Sequence, residues 1–142
     1  MCYINNNLFA KILRGELTCV KVAETENVLA FMDLMPEADG HVLIVPKEAV
    51  SEIFDLSDAA GAACFWMIRR VATAMRAALK PEGMMVVQFN GTVAGQTVPH
   101  VHFHVIPRRV GEKLKSHTRE IAELKKLEVI AELIRAQLKL SG

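Results

Sequence analysis

Three cysteines, Cys2, Cys19 and Cys64, are all that the 142-residue chain holds, and none stands at a CxxC spacing. An odd, scattered set excludes a disulfide framework and a cysteine-built zinc ribbon, and fits a protein kept in a reducing cytoplasm. An excess of one charge is missing too, since 17 Lys and Arg face 16 Asp and Glu for a formal net charge of +1. So even a balance argues against nucleic acid or an anionic membrane as a bulk partner; an anion must be held by a local site. No apolar run approaches the ~20 residues of a membrane-spanning helix. The opening MCYINNN lacks the basic-then-apolar pattern of a secretory leader. Repeats, low-complexity tracts and long linkers are absent as well. The expectation is one cytoplasmic domain over 1–142, with 51% hydrophobic residues for its core.

What is present is a series of short, well-punctuated elements. Residues 8–14 (LFAKILR) read as a short amphipathic helix stopped at Gly15. Strand character follows at 19–24, 28–33 and 41–45, with turn signals at Asn27 and from Pro36 to Gly40. Ser57 is a candidate N-cap for a long helix to Lys80, with Asp58 in its first turn and Pro81 beyond its end. Phe65, Ile68, Ala72, Met75 and Leu79 form its apolar line, and Arg69, Thr73, Arg76 and Lys80 a solvated one. Cys64, within AACFW, reads as a small buried core residue. The last strands fall at 84–89 and 100–106. A C-terminal helix is predicted over 118–139, with Ile121, Leu124, Ala131, Ile134 and Leu138 as its stripe. Strands joined by turns, with long helices inserted or appended, point to an antiparallel α+β domain.

Three of the chain's five histidines lie in PHVHFHVIPR, at His100, His102 and His104. On a strand, alternate side chains share a face, so three imidazoles line one side while Val101, Phe103 and Val105 turn to the core. Three readings are open at this point: a solvent-facing strand, a metal site, and covalent catalysis by imidazole. Imidazole is a common zinc ligand, yet no CxxC or HExxH completes a ligand set. A nucleophilic histidine could attack phosphorus and later be displaced by water, splitting one substitution into two. That reading needs a phosphate cradle, and GTVAGQTVPH (91–100) offers one just upstream. Gly91 and Gly95 let backbone approach a ligand, Gln96 and Thr97 add neutral donors, and exposed N–H groups in such a turn favour anions.

These residues resemble the signature of the histidine triad (HIT) superfamily, His-φ-His-φ-His-φ-φ with φ apolar, at His100 through Ile106. The likeness extends to NGTVAGQTVPHVHFHVIPR (90–108), to FMDLMPEADGHVLIVPK (31–47) and to LFAKILRGEL (8–17), in the family's order. It implies a HIT-like α+β domain with a five-stranded antiparallel sheet and two main helices, with core 8–108, and a homodimer joined through its sheets. By position, His102 would be the nucleophile, His104 would contact phosphoryl oxygens or the leaving group, and His100 would orient its neighbours. Gln96, Gly95 and Thr97 would hold the phosphate, Asp33 the ribose hydroxyls, and Asn90 the region between. Phe9 and Leu34 would help form the base pocket, and His41 would support the triad. Some members bind a structural zinc at positions that here are Asn7, Ala10, Ala49 and His100, so neither a metal nor another cofactor is expected. His117 has no counterpart and is expected to be exposed.

The resemblance thus implies a hydrolase acting at the α-phosphorus of a nucleoside 5′-phosphate derivative, with a purine nucleotide or conjugate as partner. The bond cut would be a phosphoric anhydride or a phosphoramidate, through a nucleotidyl-histidine. The alternative is a nucleotide-binding or interaction module whose catalysis is incidental.

Overall fold

The computed structural model describes residues 2–115 and 121–140. His117 and the predicted first residues of the C-terminal helix, 118–120, lie outside the described residues. Five strands form one sheet: β1 (Lys21–Glu24), β2 (Val28–Met32), β3 (Val42–Pro46), β4 (Gly83–Val87) and β5 (Phe103–Arg108). The strand order is β1-β2-β3-β5-β4 and the pairings are antiparallel, so β1 and β4 are the edges. Helix α1 (Leu8–Leu13) precedes the sheet, α2 (Asp58–Leu79) links β3 to β4, and α3 (Leu124–Leu140) follows β5.

β2 and β3 are buried at every position, which is why their sequences read as apolar runs rather than alternating ones. The period of two still sorts them. Val28, Ala30, Met32, Val42 and Ile44 face α2 and α3, in a cluster with Met67, Val71, Met75 and Ile134. Leu29, Phe31, Leu43 and Val45 face the other way and meet Phe9 and Ile12 of α1. Truncating one of the larger side chains to alanine in such a layer typically costs ~2–5 kcal/mol. The two covers are unequal, since α2 has 22 residues and α1 has 6. His104 pairs in register with Leu43 and so lies on the thinly covered face, where space remains for a ligand.

Local signals decided the helix ends. The Ser57 side chain accepts from the backbone N–H of Ala60 at 3.1 Å, and Glu48 in turn accepts from Ser57 N and Oγ at 2.8 and 2.7 Å. Lys80 closes α2 in the left-handed region at φ 49°, directly before Pro81. The buried face of α2 is turned from the expected line: Cys64, Met67, Ile68, Val71, Ala74 and Met75 are buried, whereas Phe65 is 63% exposed. Apolar residues on several sides of this helix made its rotation ambiguous until the sheet chose one. Burial pushes the Cys64 thiol up to about 12, as expected of a core residue.

The starts of β5 and α3 differ most from expectation. β5 begins at Phe103, and 100–102 form an irregular lead-in in which Val101 N–H donates to Val50 O at 2.9 Å. That bond ties the segment to the loop after β3 instead of to a strand ladder. α3 begins at Leu124, and its buried face is Leu127, Ile130, Ala131 and Ile134. Ile121 therefore stands outside the helix, where Ala122 N–H donates to Leu34 O at 2.8 Å.

Candidate active site

The three triad imidazoles are buried, at 0% exposure for His100, 5% for His102 and 6% for His104. Their hydrogen bonds fix which ring nitrogen carries each proton, because a backbone carbonyl only accepts and a backbone N–H only donates. His102 Nδ1 lies 2.6 Å from the carbonyl oxygen of His100, so Nδ1 carries hydrogen and, in the neutral ring, the lone pair is on Nε2. His100 Nε2 lies 2.7 Å from Pro46 O and must likewise donate. Its Nδ1 meets the Tyr3 hydroxyl at 2.5 Å, and Asn7 Nδ2 donates to the same hydroxyl oxygen at 2.8 Å. Burial pulls the His100 pKa below the usual 6.5, against the opposing effect of the Pro46 carbonyl.

His41 sits just ahead of β3 and is wholly buried. Glu37 N–H donates to its Nδ1 at 3.0 Å, so its hydrogen is on Nε2. That nitrogen faces His104 Nδ1 at 2.9 Å and Asp33 Oδ2 at 3.4 Å. His104 Nδ1 is thereby an acceptor, and the His104 N–H is on Nε2. His102 and His104 thus have opposite tautomers, a lone pair at Nε2 of one and a hydrogen at Nε2 of the other, with ring centroids 5.0 Å apart.

Metal chemistry fits these residues poorly. Ligand atoms of Asp33, His41 and His104 lie within 4.8 Å of one another. An ion at His41 Nε2 would force the ring hydrogen onto Nδ1, against the donating N–H of Glu37. The four positions at which the resemblance would place a structural zinc are Asn7, Ala10, Ala49 and His100. They supply one imidazole, and both of its nitrogens are hydrogen-bonded.

The loop before the triad departs from the expected backbone cradle. Gly91 and Gly95 take positive φ, 87° and 107°, as the tight turn requires. However, the N–H groups of Ala94, Gly95 and Gln96 donate to carbonyls within the loop, and Gly91 N–H donates to Gln96 Oε1. The Gln96 amide also donates to Ser51 O and Val98 O at 2.7 and 3.0 Å. Gln96 is thus the brace of this loop. Asn90 is a second brace, accepting from Ile53 N–H at 2.9 Å and exchanging hydrogen bonds with Gln88. Thr97 is exposed at the mouth.

Beside the triad lies a cavity of 240 Å³, walled mainly by apolar side chains. Phe9, Phe31 and Leu34 line it together with Asp33, Thr97, His102 and His104. Phe9 meets the His102 ring edge-on, centroids 4.8 Å apart. Asp33 Oδ1 accepts from Met35 N–H at 2.8 Å, which orients the buried carboxylate. Thr97 also lines a wider groove of 850 Å³ with Tyr3, Ser51, Glu52 and Gln96. Sequence reasoning named Phe9, Asp33, Leu34, Thr97, His102 and His104 but not Phe31, Cys19, Ile121 or Tyr3. Cys19 and Ile121 line the cavity, and Tyr3 reaches His100. No local pattern marks any of them, since each arrives through the chain's path.

Comparison with known proteins agrees with this arrangement. Residues 14–111 match the family model of the HIT domain. An adenosine 5′-monophosphoramidase of Schizosaccharomyces pombe is 43% identical over 101 residues, spanning 71% of this chain and 73% of the relative. A Hit-like protein from Bartonella henselae, crystallised with an unknown ligand, superposes with a TM-score of 0.89 at 39% identity. That match covers 96% of this chain and 99% of the other. A zinc-bound histidine triad protein from Mycobacterium smegmatis gives 0.84 at 31% identity, over 96% and 95% of the two chains. The chain belongs to the HIT family of nucleotide hydrolases and transferases, and it is an enzyme of that family.

Proposed function

We propose that the protein hydrolyses a purine nucleoside 5′-phosphate derivative at its α-phosphorus, through a nucleotidyl-His102 intermediate. The observation that carries this reading is the 2.6 Å contact of His102 Nδ1 with His100 O, which leaves the neutral ring's lone pair on Nε2. In the first step that pair forms the N–P bond. The bond from phosphorus to the leaving nitrogen or oxygen breaks with its own pair, and the leaving atom takes a proton from water. In the second step water attacks phosphorus and gives up a proton to solvent, and the N–P pair returns to His102. The Nε2–H of His104 donates to phosphoryl oxygens or to the leaving atom, where negative charge develops. Phe9, Phe31 and Leu34 offer a planar base an apolar slot, and Asp33 in the same lining suits a ribose diol.

The S. pombe relative makes an adenosine phosphoramidate the first substrate to try. With it, wild type releases adenosine monophosphate, and intact mass spectrometry of a rapidly quenched reaction finds a nucleotidyl adduct. His102→Ala is expected to lose ~10⁴-fold or more in turnover and all of the adduct, as removal of a covalent nucleophile does. Tight nucleotide binding with no turnover of phosphoramidate or dinucleoside polyphosphate by wild type would replace this reading with a binding module. Activity in excess chelator is part of the expectation, given the donor sets above.

The same proposal includes a cytoplasmic homodimer. Unpaired thiols at Cys2, Cys19 and Cys64 suit a reducing compartment. β4 is a sheet edge whose Val86 is 48% exposed, and a strand edge of this kind can pair across a two-fold axis.

A further inference from the structure

Tyr3 is the chain's only tyrosine, and it lies 97 residues from the histidine it touches. The direction of every hydrogen bond around it follows from groups that can act in one sense only. Pro46 O can only accept, so His100 carries hydrogen on Nε2, and its neutral ring presents a lone pair at Nδ1. The Tyr3 hydroxyl therefore donates to Nδ1. Asn7 Oδ1 accepts from Ala10 N–H at 2.9 Å, so the amide's nitrogen end is the one turned to Tyr3, and Nδ2–H donates to the hydroxyl oxygen. The backbone carbonyl of the same His100 receives His102 Nδ1–H. Asn7 thus donates to Tyr3, Tyr3 to the His100 ring, and His102 to the His100 carbonyl, so the sense of each link is fixed.

We propose that Tyr3 is a positioning residue for the nucleophile: its hydroxyl, oriented by Asn7, holds the His100 ring in place by donating to Nδ1, and His100 O in turn aligns His102. This rests on the reading of His102 as the nucleophile. Asn7 serves twice, because it also caps α1, whose Phe9 packs against the His102 ring. The N-terminal segment thus reaches the nucleophile twice, through His100 and through Phe9. Tyr3 does not line the cavity beside His102, so its loss should not change how the nucleotide is held there.

The test compares wild type with Tyr3→Phe and Asn7→Asp. The second change keeps a cap acceptor but offers the Tyr3 hydroxyl a competing carboxylate. Imidazole ¹⁵N chemical shifts of the substrate-free proteins report tautomers directly. Wild type should show His100 with protonated Nε2 and a hydrogen-bonded, unprotonated Nδ1; in both variants the Nδ1 resonance should move as that donor is lost or weakened, while Pro46 O keeps the hydrogen on Nε2. With adenosine 5′-monophosphoramidate as substrate, kcat should fall about tenfold in each variant at unchanged KM, the scale of one lost hydrogen bond. Wild-type ¹⁵N shifts in Tyr3→Phe, or wild-type kcat, would overturn the proposal, even if the melting temperature drops. Failure of wild type to turn over any substrate would instead count against the reaction scheme, and the ¹⁵N comparison would still decide the hydrogen bond to His100.

Discussion

His41 Nε2 and His104 Nδ1 lie 2.9 Å apart, and the backbone N–H of Glu37 decides which of them holds the hydrogen. Because Glu37 donates to His41 Nδ1, His41 donates to His104, and His104 keeps its N–H at Nε2. A main-chain group 4 residues from His41 therefore sets the polarity of a contact that joins residues 63 apart. This makes His41 testable apart from the nucleophile. His41→Ala should leave His104 Nδ1 without its donor and lower kcat by roughly tenfold to a hundredfold, the scale of one unmatched buried polar group. His41→Gln, which can still donate from a side-chain amide, should recover part of the loss. Equal activity of His41→Ala and wild type would remove His41 from the mechanism.

Stability should depend on His100 in a defined pH window. Burial holds its pKa below 6.5, so the unfolded chain binds a proton that the native ring refuses. Above 6.5 both forms are neutral and no penalty arises. As pH falls through 6.5 the unfolded state gains the proton and native stability declines, until the lower native value is passed and the decline levels off. Melting temperatures of wild type and His100→Gln between pH 7.5 and 5 should therefore diverge in slope, with wild type falling more steeply. Parallel curves would contradict the assignment.

Gly40 directly precedes His41 and has φ +97°, a region costly for an alanine. A Cβ there would also lie 2.6 Å from Leu79 Cδ1 and 3.1 Å from Pro107 Cγ. Leucine's tip can move aside more readily than the proline ring, so backbone strain dominates. Gly40→Ala should cost about 1–3 kcal/mol in a denaturant titration. Gly15, also at positive φ but with nothing within 4 Å, should be milder when changed to alanine.

Ile121 is 76% exposed yet is among the residues that line the cavity at the triad, with Leu8, Leu34 and Met35. Since little of it is buried, Ile121→Glu should leave folding intact. A carboxylate at that wall should repel an anionic nucleotide and raise KM several-fold with kcat held. An unchanged KM would show that Ile121 does not touch the bound nucleotide.

Features set by near neighbours were readable in advance. The Ser57 cap, the Lys80–Pro81 stop and the apolar runs of β2 and β3 each follow from residues a few positions apart. The start of α3 was misread because Ile121 and Leu124 have helical spacing with the later stripe. In the structure Ile121 belongs to the cavity wall, while Leu127, Ile130, Ala131 and Ile134 pack inward. The rotation of α2 was misread for a related reason. Phe65 is as apolar as its neighbours, and only contact with the sheet shows that Cys64 and Met67 face in. The Gln96 amide braces its loop against Ser51, 45 residues away, a pairing no local pattern encodes.

By itself the sequence determined the chemistry at hand: three histidines at alternate positions, a glycine-bearing loop ahead of them, and no cysteine pair to build a zinc site. Tertiary structure decided what each histidine can do. Identical side chains differ only through their partners, and those partners are Tyr3 and Pro46 for His100, the His100 carbonyl for His102, and His41 for His104. An imidazole has one hydrogen for two nitrogens when neutral, so its role depends on which nitrogen faces a donor or an acceptor. Most of that geometry comes from residues far apart in the chain, and it exists only once the sheet has formed.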